Sequence, residues 1–390
     1  MYYLLHILQF TLWCPLCLLR QACLNDKLPA RTINNIMEHP MSASYKSSLS
    51  IVICMMYAAG SVHTQTVTYR PKLDELKYTF GQHAPVLMLK PGTTLETWTQ
   101  DSYDGRVTKP TDVPSELIPP DHDNPETGPF YVEGAEPGDV LVIHILDLQP
   151  DKTYGFSSSF PFFGTLTGTE YTALLHDPLP EKLWWYEIDK VKGTVKYKAL
   201  KGTHTVDIPM SPFLGCISVA PKRGEWRWTV TPEAYGGNMD NFNIKKGATV
   251  YLPVNVKGAL LHIGDGHLVQ GEGEIIGTAV EASLNVKLKV DVIKKRAIAW
   301  PRLENDDFIM AVGSYRPLED AFRIAYKELI LWMTEDYGME MNDALQLASQ
   351  AGQVDVVQVV DPNYTVAAKI AKKYLPNRQA FGGMHERIKK

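Results

Sequence analysis

From residue 69 to about residue 297 the chain alternates short apolar runs with Gly, Pro, Asn and Asp, the pattern of strands joined by turns. The clearest segment is 284–292. There Leu284, Val286, Leu288, Val290 and Val292 recur at every second position, with Asn285, Lys287, Lys289 and Asp291 between them. One face is buried and the other is wet, so Lys287 and Lys289 belong to the solvated side. Further strands are predicted at 86–89, 94–99, 140–148, 216–219 and 249–254, and the turns KPGTT, EPGD and KKGA lead into three of them. After Pro317 the period lengthens to about three and a half residues. Leu318, Phe322, Ala325, Leu329 and Trp332 predict an amphipathic helix opened by Pro317, and a second helix at 340–350 carries Met341, Leu345 and Ala348 on one face before Gly352. The expected fold class is therefore mainly β, a β-sandwich or barrel-like body over 66–316, with a helical C-terminal section over 317–390 packed on it, α+β overall.

The first seventy residues read differently. In MSASYKSSLSIVICMMYAAGSVHTQ, Lys46 is the charged n-region, 49–59 the apolar h-region, and Ala58, Gly60 and Ser61 the small residues before a cleavage site. Residues 41–65 are thus expected to be a secretory signal peptide, with Met41 as the true start and 1–40 an upstream extension. The alternative is that residues 2–19 are themselves a signal or membrane anchor. Four of the five cysteines, Cys14, Cys17, Cys23 and Cys54, precede the expected cleavage point. The mature chain keeps Cys216 alone and cannot form an internal disulfide. The CPLC spacing of Cys14 and Cys17 has no second pair to complete a zinc site.

Lys and Arg total 39 against 44 Asp and Glu, and no long run of one sign occurs, which excludes nucleic acid as an expected partner. With 45% hydrophobic residues the chain can bury a large core. An exported protein with a cleaved signal keeps no stable membrane insertion and resides in a periplasm or outside the cell. The apolar helical tail suggests a homo-oligomer. Trp184, Trp185 and Tyr186 read as a buried aromatic cluster, and Trp226 and Trp228 as one strand face that meets core or an oligomer partner.

The candidate chemistry lies in GDGHLVQGEGE, 264–274. Its glycines let the backbone bend Asp265, His267, Gln270, Glu272 and Glu274 towards one point. Donors this dense suit a divalent metal or acid–base work, although the same composition also makes solvated loops whose acids cap turns. No HExxH signature is present.

The surrounding motifs YGGNMDN (235–241), YLPVNVKGALLHIGDGHLVQGEGEIIGTAVE (251–281), NPETGPFYVEGAEPGDVLVIHILDL (124–148), GCISVAP (215–221) and LKPGTTLETWTQDSYDGRV (89–107) together resemble the acetamidase/formamidase family, in order and across most of 69–374. The resemblance implies hydrolysis of a small amide such as formamide or acetamide to the acid and ammonia, on a mostly β fold with a divalent ion. It places the family positions at Asp101, Asn238, Asp240, Asp265, His267, Gln270, Glu274 and Glu281. His262 falls outside the family pattern and is left out of the site. The stretch 154–190 departs from the pattern, so a larger amide, another C–N bond or a non-catalytic binding member are the alternatives.

Thiol chemistry is disfavoured by the apolar setting of Cys216, and SSSF at 157–160 lacks the context of a serine hydrolase. Water activated by a metal is the expected mechanism. Asp101, Asp265 and His267 are expected to bind zinc, with calcium as the alternative ion, while Glu274 shuttles the proton and Asn238 donates to the substrate oxygen. His267 also takes part in catalysis in this reading, and Asp240, Gln270 and Glu281 orient those groups or touch substrate.

Overall fold

The computed structural model describes residues 65–166 and 179–390. The expected extension, the signal segment up to residue 64 and the four upstream cysteines lie outside the described residues.

A nine-stranded sheet forms one layer. Its strands run, in spatial order, Thr66–Thr68, Thr94–Thr99, Leu284–Ile293, Val140–Pro150, Thr249–Pro253, Arg302–Glu304, Phe308–Tyr315, Tyr364–Ala371 and Gln353–Gln358. All neighbours are antiparallel except the first pair. A five-stranded sheet, ordered Gly236–Asn238, Phe213–Ser218, Leu261–His267, Glu126–Val132 and Leu87–Leu89, packs on it. Leu95, Ile143, Leu288 and Val290 of the first sheet share one core with Phe130, Ile217, Leu261 and Ile263 of the second. The body is a sandwich, and among the described residues no sheet closes into a barrel. A third sheet of four strands holds Tyr154–Ser159 and Lys182–Asp189, in which Tyr186 is buried and Trp185 stacks on Tyr154 at 4.2 Å. Strand Leu284–Ile293 shows the alternation its sequence predicts, with Leu284, Val286 and Leu288 buried and Asn285 and Lys287 exposed.

The C-terminal section is helical as expected and also carries two strands. Helices Leu318–Tyr337 and Met341–Ala351 are present, but Gln353–Gln358 and Tyr364–Ala371 are strands that complete the nine-stranded sheet. The reason is geometric: Phe308–Tyr315 presents an unpaired edge, and YTVAAKIA supplies both the amides and the small side chains that the helix above it tolerates. Leu329, Trp332 and Met333 of the long helix pack onto Ile309, Ala311, Val366 and Ala368. In the second helix the inward face is Ala344 and Ala348, whereas Met341 and Leu345, expected inside, are exposed, as is Phe322 of the first. Trp226 and Trp228 are also exposed and do not enter the core. Among the described residues, no helix is long and apolar enough to cross a membrane.

Two consequences can be measured. A Cβ at Gly313 would lie 2.2 Å from the carbonyl oxygen of Ala321. Gly313→Ala is therefore expected to push the long helix off the sheet and lower stability by about 1–3 kcal/mol in chemical unfolding. Burial pushes His262 down to about 3 and His144 down to about 4, with neighbouring positive charge adding to both. Both stay neutral in the fold while the unfolded chain protonates them near 6.5, so their contribution is intact above that pH and is lost as pH falls towards 3. The urea midpoint is expected to drop on acidification from pH 7 to pH 4, and less steeply in His262→Phe.

Candidate active site

Strand Leu261–His267 is buried along its whole length and carries Asp265 and His267 into the interior. Asp265 has φ of 53°, and the two other acids that converge here, Asp240 and Glu274, have φ of 48° and 47°. Left-handed backbone at three non-glycine acids costs on the order of 1 kcal/mol or more each, so the surrounding fold has to hold these turns. The Glu274 turn is held by Gly273 N–H, which donates to the carbonyl of Val356 at 2.7 Å, a contact supplied by the C-terminal strand. The second half of the glycine-rich segment thus folds inward at Glu274 and leaves Glu272 exposed.

His267 is the centre. Its Nδ1 donates to Gln270 Oε1 at 2.9 Å, and the Gln270 amide is fixed in turn because Nε2 donates to the carbonyls of Asp240 at 2.9 Å and Val357 at 3.1 Å. The other ring nitrogen, Nε2, faces Asp265 Oδ1 at 3.0 Å and Glu281 Oε2 at 3.2 Å. Phe213 stands edge-on to the imidazole at 4.9 Å. Glu281 also accepts from Ser102 Oγ at 2.9 Å and from the backbone N–H of Ala279 at 2.8 Å. Asp240 is reached through Asn238, whose Nδ2 donates to Asp240 Oδ2 at 3.1 Å and to Asp361 Oδ2 at 2.7 Å.

Five carboxylates, Asp240, Asp265, Glu274, Glu281 and Asp361, lie around one imidazole, none more than 5% exposed. Burial and mutual repulsion push Asp240 and Glu274 well up, and burial also raises Glu281. Burial likewise lifts Asp361 to about 7. Burial acts on Asp265 in the same direction, but the adjoining His267 holds it below the usual range. Burial disfavours the imidazolium, yet Asp265 and Glu281 outweigh it and raise His267.

Two sets of side chains bring ligand atoms within 4.8 Å of one another around this histidine: Asp240, His267 and Glu274, and Asp265, His267 and Glu281. Asp240 Oδ1 is buried and accepts no hydrogen bond. A Cβ at Gly215 would fall 2.2 Å from Asp265 Oδ2 and 2.7 Å from Asp240 Oδ1, so a bare backbone gives these two acids their room. One nitrogen and several carboxylate oxygens form a donor set that fits a divalent ion.

Two of the expected site residues are placed differently from the rest. Asp101 belongs to neither set; its oxygens accept from Gly105 N–H at 2.9 Å and pair with Lys152 Nζ at 3.0 Å. The neighbour Ser102 reaches the cluster instead, donating to Glu281. Asn238 has both amide hydrogens committed to Asp240 and Asp361, so it braces acids and has none left for a substrate oxygen. Asp240 and Glu281, read as orienting groups, sit in the ligand sets themselves, and Gln270 does orient His267. Asp361, Ser102 and Glu126 were not foreseen. The only signal for Asp361 was the turn DPN after an apolar run.

The strand Tyr154–Ser159 borders the cluster, with Phe156 and Glu281 exchanging backbone hydrogen bonds at 2.7 and 3.2 Å. Next to them Tyr103 Oη bonds Ser158 Oγ, and Ser157 Oγ meets Thr278 Oγ1 at 2.9 Å. The divergent stretch therefore starts as a wall of the site.

Residues 81–226 and 223–372 match the Acetamidase/Formamidase family. An acetamidase of Yersinia enterocolitica of known structure is 40% identical, with a TM-score of 0.74 over 82% of this chain and 99% of that one. An acetamidase of Bacillus halodurans is 31% identical, with a TM-score of 0.70 over 79% of this chain and 98% of that one. A formamidase of Methylophilus methylotrophus is 32% identical over 208 residues, 43% of this chain and 51% of that protein. A putative formamidase of Schizosaccharomyces pombe is 30% identical over 211 residues, again 43% and 51%. The chain spans about half the length of these curated relatives. With the family matched over most of its length, the chain belongs to the acetamidase/formamidase family.

Proposed function

We propose that the protein is an amidohydrolase that cleaves small linear carboxamides, formamide and acetamide, to the carboxylic acid and ammonia. The observation that carries this reading is the buried ring of five carboxylates on one histidine, in a chain whose relatives are named acetamidase and formamidase. Five acids and one imidazolium cannot all stay ionised in a dry interior without further positive charge or bound protons. A divalent ion, zinc by the nitrogen–carboxylate donor set, would be held by His267 with Asp240 and Glu274 or with Asp265 and Glu281. Such an ion, when bound, lowers the pKa of water and polarises a carbonyl.

The chain's own residues supply the rest. Gln270 fixes which imidazole nitrogen faces the acids. Glu274, whose carboxyl burial pushes well above the usual range, is suited to exchange a proton with the departing nitrogen and the attacking water when Asp265, His267 and Glu281 hold the ion. The buried setting strengthens each of these interactions. Export through the 41–65 segment and self-association through exposed Phe322, Met341 and Leu345 belong to the same proposal.

Ammonia release from formamide and acetamide, measured together with metal content, tests this. His267→Ala is expected to lose both the ion and at least about 10³-fold in kcat/KM, and Glu274→Gln about 10²-fold or more. Asp101→Asn is expected to keep its ion, because the structure removes Asp101 from the ligand sets. A chelator should abolish activity, and a divalent ion should restore it. Full activity in His267→Ala, or no ammonia from any simple amide, would overturn the assignment.

A further inference from the structure

Behind the acid cluster the five-stranded sheet carries a second group of buried polar atoms that the proposed chemistry does not use. Glu126, Ser218 and His262 are all fully buried. Strand register places them on one face: Gly264 pairs with Glu126 on one side and Cys216 on the other, and two residues along, His262 pairs with Ser218. Gly264 has no side chain here because the Glu126 carboxyl occupies the space; a Cβ would meet Glu126 Oε1 at 2.5 Å. Phe80 closes over the His262 ring at 5.8 Å, and Tyr235 packs against Phe80.

Four atoms in this group have no hydrogen-bond partner: Glu126 Oε1, Glu126 Oε2, Ser218 Oγ and His262 Nε2. With Glu126 ionised, all four can accept. His262 Nδ1 sits 3.0 Å from the carbonyl of Leu260, so it carries the ring hydrogen and leaves Nε2 as a bare lone pair. The neighbouring Cys216 thiol lies against the Glu126 carboxyl, but its single hydrogen is drawn to Asn238 Oδ1 at 2.8 Å. Leaving four acceptors empty in a dry interior costs on the order of 1–3 kcal/mol each. Such a group calls for a small molecule with several N–H or O–H donors.

We propose that this face is a binding site for ammonium, the cation formed from the nitrogen product of the amidase reading, on which this inference rests. Ammonium has four donors in a compact shell and no acceptor. A nitrogen acceptor from His262 suits an N–H donor better than it suits potassium or sodium, which take oxygen ligands. If ammonia enters uncharged, the proton balance closes locally: the Glu126 O–H breaks, its proton forms the fourth N–H bond, and the ammonium remains paired with the carboxylate. The partition from the reacting centre is thin. Asn238 bonds Asp240 and Asp361 on the site side and takes the Cys216 thiol on the other.

The test is ¹⁵N-ammonium chloride added to the metal-loaded protein and followed by ¹H–¹⁵N NMR. A bound ammonium shielded from solvent gives a signal apart from bulk, split by four attached protons. Glu126→Gln and Ser218→Ala are expected to weaken binding by at least about tenfold and threefold respectively, the loss of a charge-assisted and a neutral acceptor. Asp265→Asn, which disables the acid cluster, should leave it within about threefold. Ser218→Ala serves if Glu126→Gln unfolds. No bound signal in the wild-type protein means that water alone fills the group and overturns the proposal. So does a signal lost in Asp265→Asn but kept in Glu126→Gln, or one displaced by equimolar potassium. A bound signal without ammonia release from amides would remove the amidase reading and leave the site; amide hydrolysis without a bound signal would do the reverse.

Discussion

The constraint on which the rest depends is electrostatic: several carboxyl groups are packed out of water around His267. Each acid alone would be pushed towards its neutral form by burial, as Asp240, Glu274 and Asp361 are. Asp265, directly against the imidazole, is instead held below the usual range. The arrangement is therefore poised. It can hold a cation, or a set of protons that it can give and take back, and either capacity is what amide hydrolysis requires. A stability argument would not generate such a cluster, because an apolar core of the same volume would be at least as favourable.

The fold holds this arrangement by bringing distant segments to one strand. Leu261–His267 lies inside a sheet whose neighbours, Phe213–Ser218 and Glu126–Val132, fix its register. The C-terminal strands then close the site from the other side. Val356 and Val357 accept from Gly273 and Gln270, and Asp361 follows directly after that strand. Residues about ninety positions after His267 thus set the Glu274 turn. This explains why strained φ values persist at three acids: several independent backbone contacts over-determine them.

Strand patterning was legible where a strand has one dry and one wet face, as in 284–292, since period-two alternation is what such a strand must show. It was not legible in 353–358 and 364–371. Tyr364–Ala371 is buried on both faces, under a helix and over the core, so alternation is absent, and its alanines resemble helix formers. The site was readable as far as one contiguous segment carried it: Asp265, His267, Gln270 and Glu274 all converge. Asp101 and Ser102 are both buried, and sequence cannot say that the first pairs with Lys152 while the second reaches Glu281. Asp361 was hidden for the opposite reason, being brought in by tertiary pairing alone. Buried Glu126 lay in a motif quoted for its family likeness, with nothing in its neighbours to separate a surface acid from a core one.

Cys216 shows how the surroundings decide a side chain's chemistry. Burial pushes its thiol up, and Glu126, Asp265 and Asp240 add negative charge that opposes the thiolate further. A nucleophilic cysteine needs the reverse, a nearby cation or helix N-terminus. The thiol acts instead as a hydrogen-bond donor to Asn238 Oδ1, the same oxygen that accepts from Asn124 at 3.0 Å. With that oxygen doubly bound, the Asn238 amide cannot flip, and its two hydrogens are kept on Asp240 and Asp361. The sole free cysteine of the described residues thus orients two of the acids from behind. In the proposed amide hydrolysis, attack is therefore left to water rather than to this thiol.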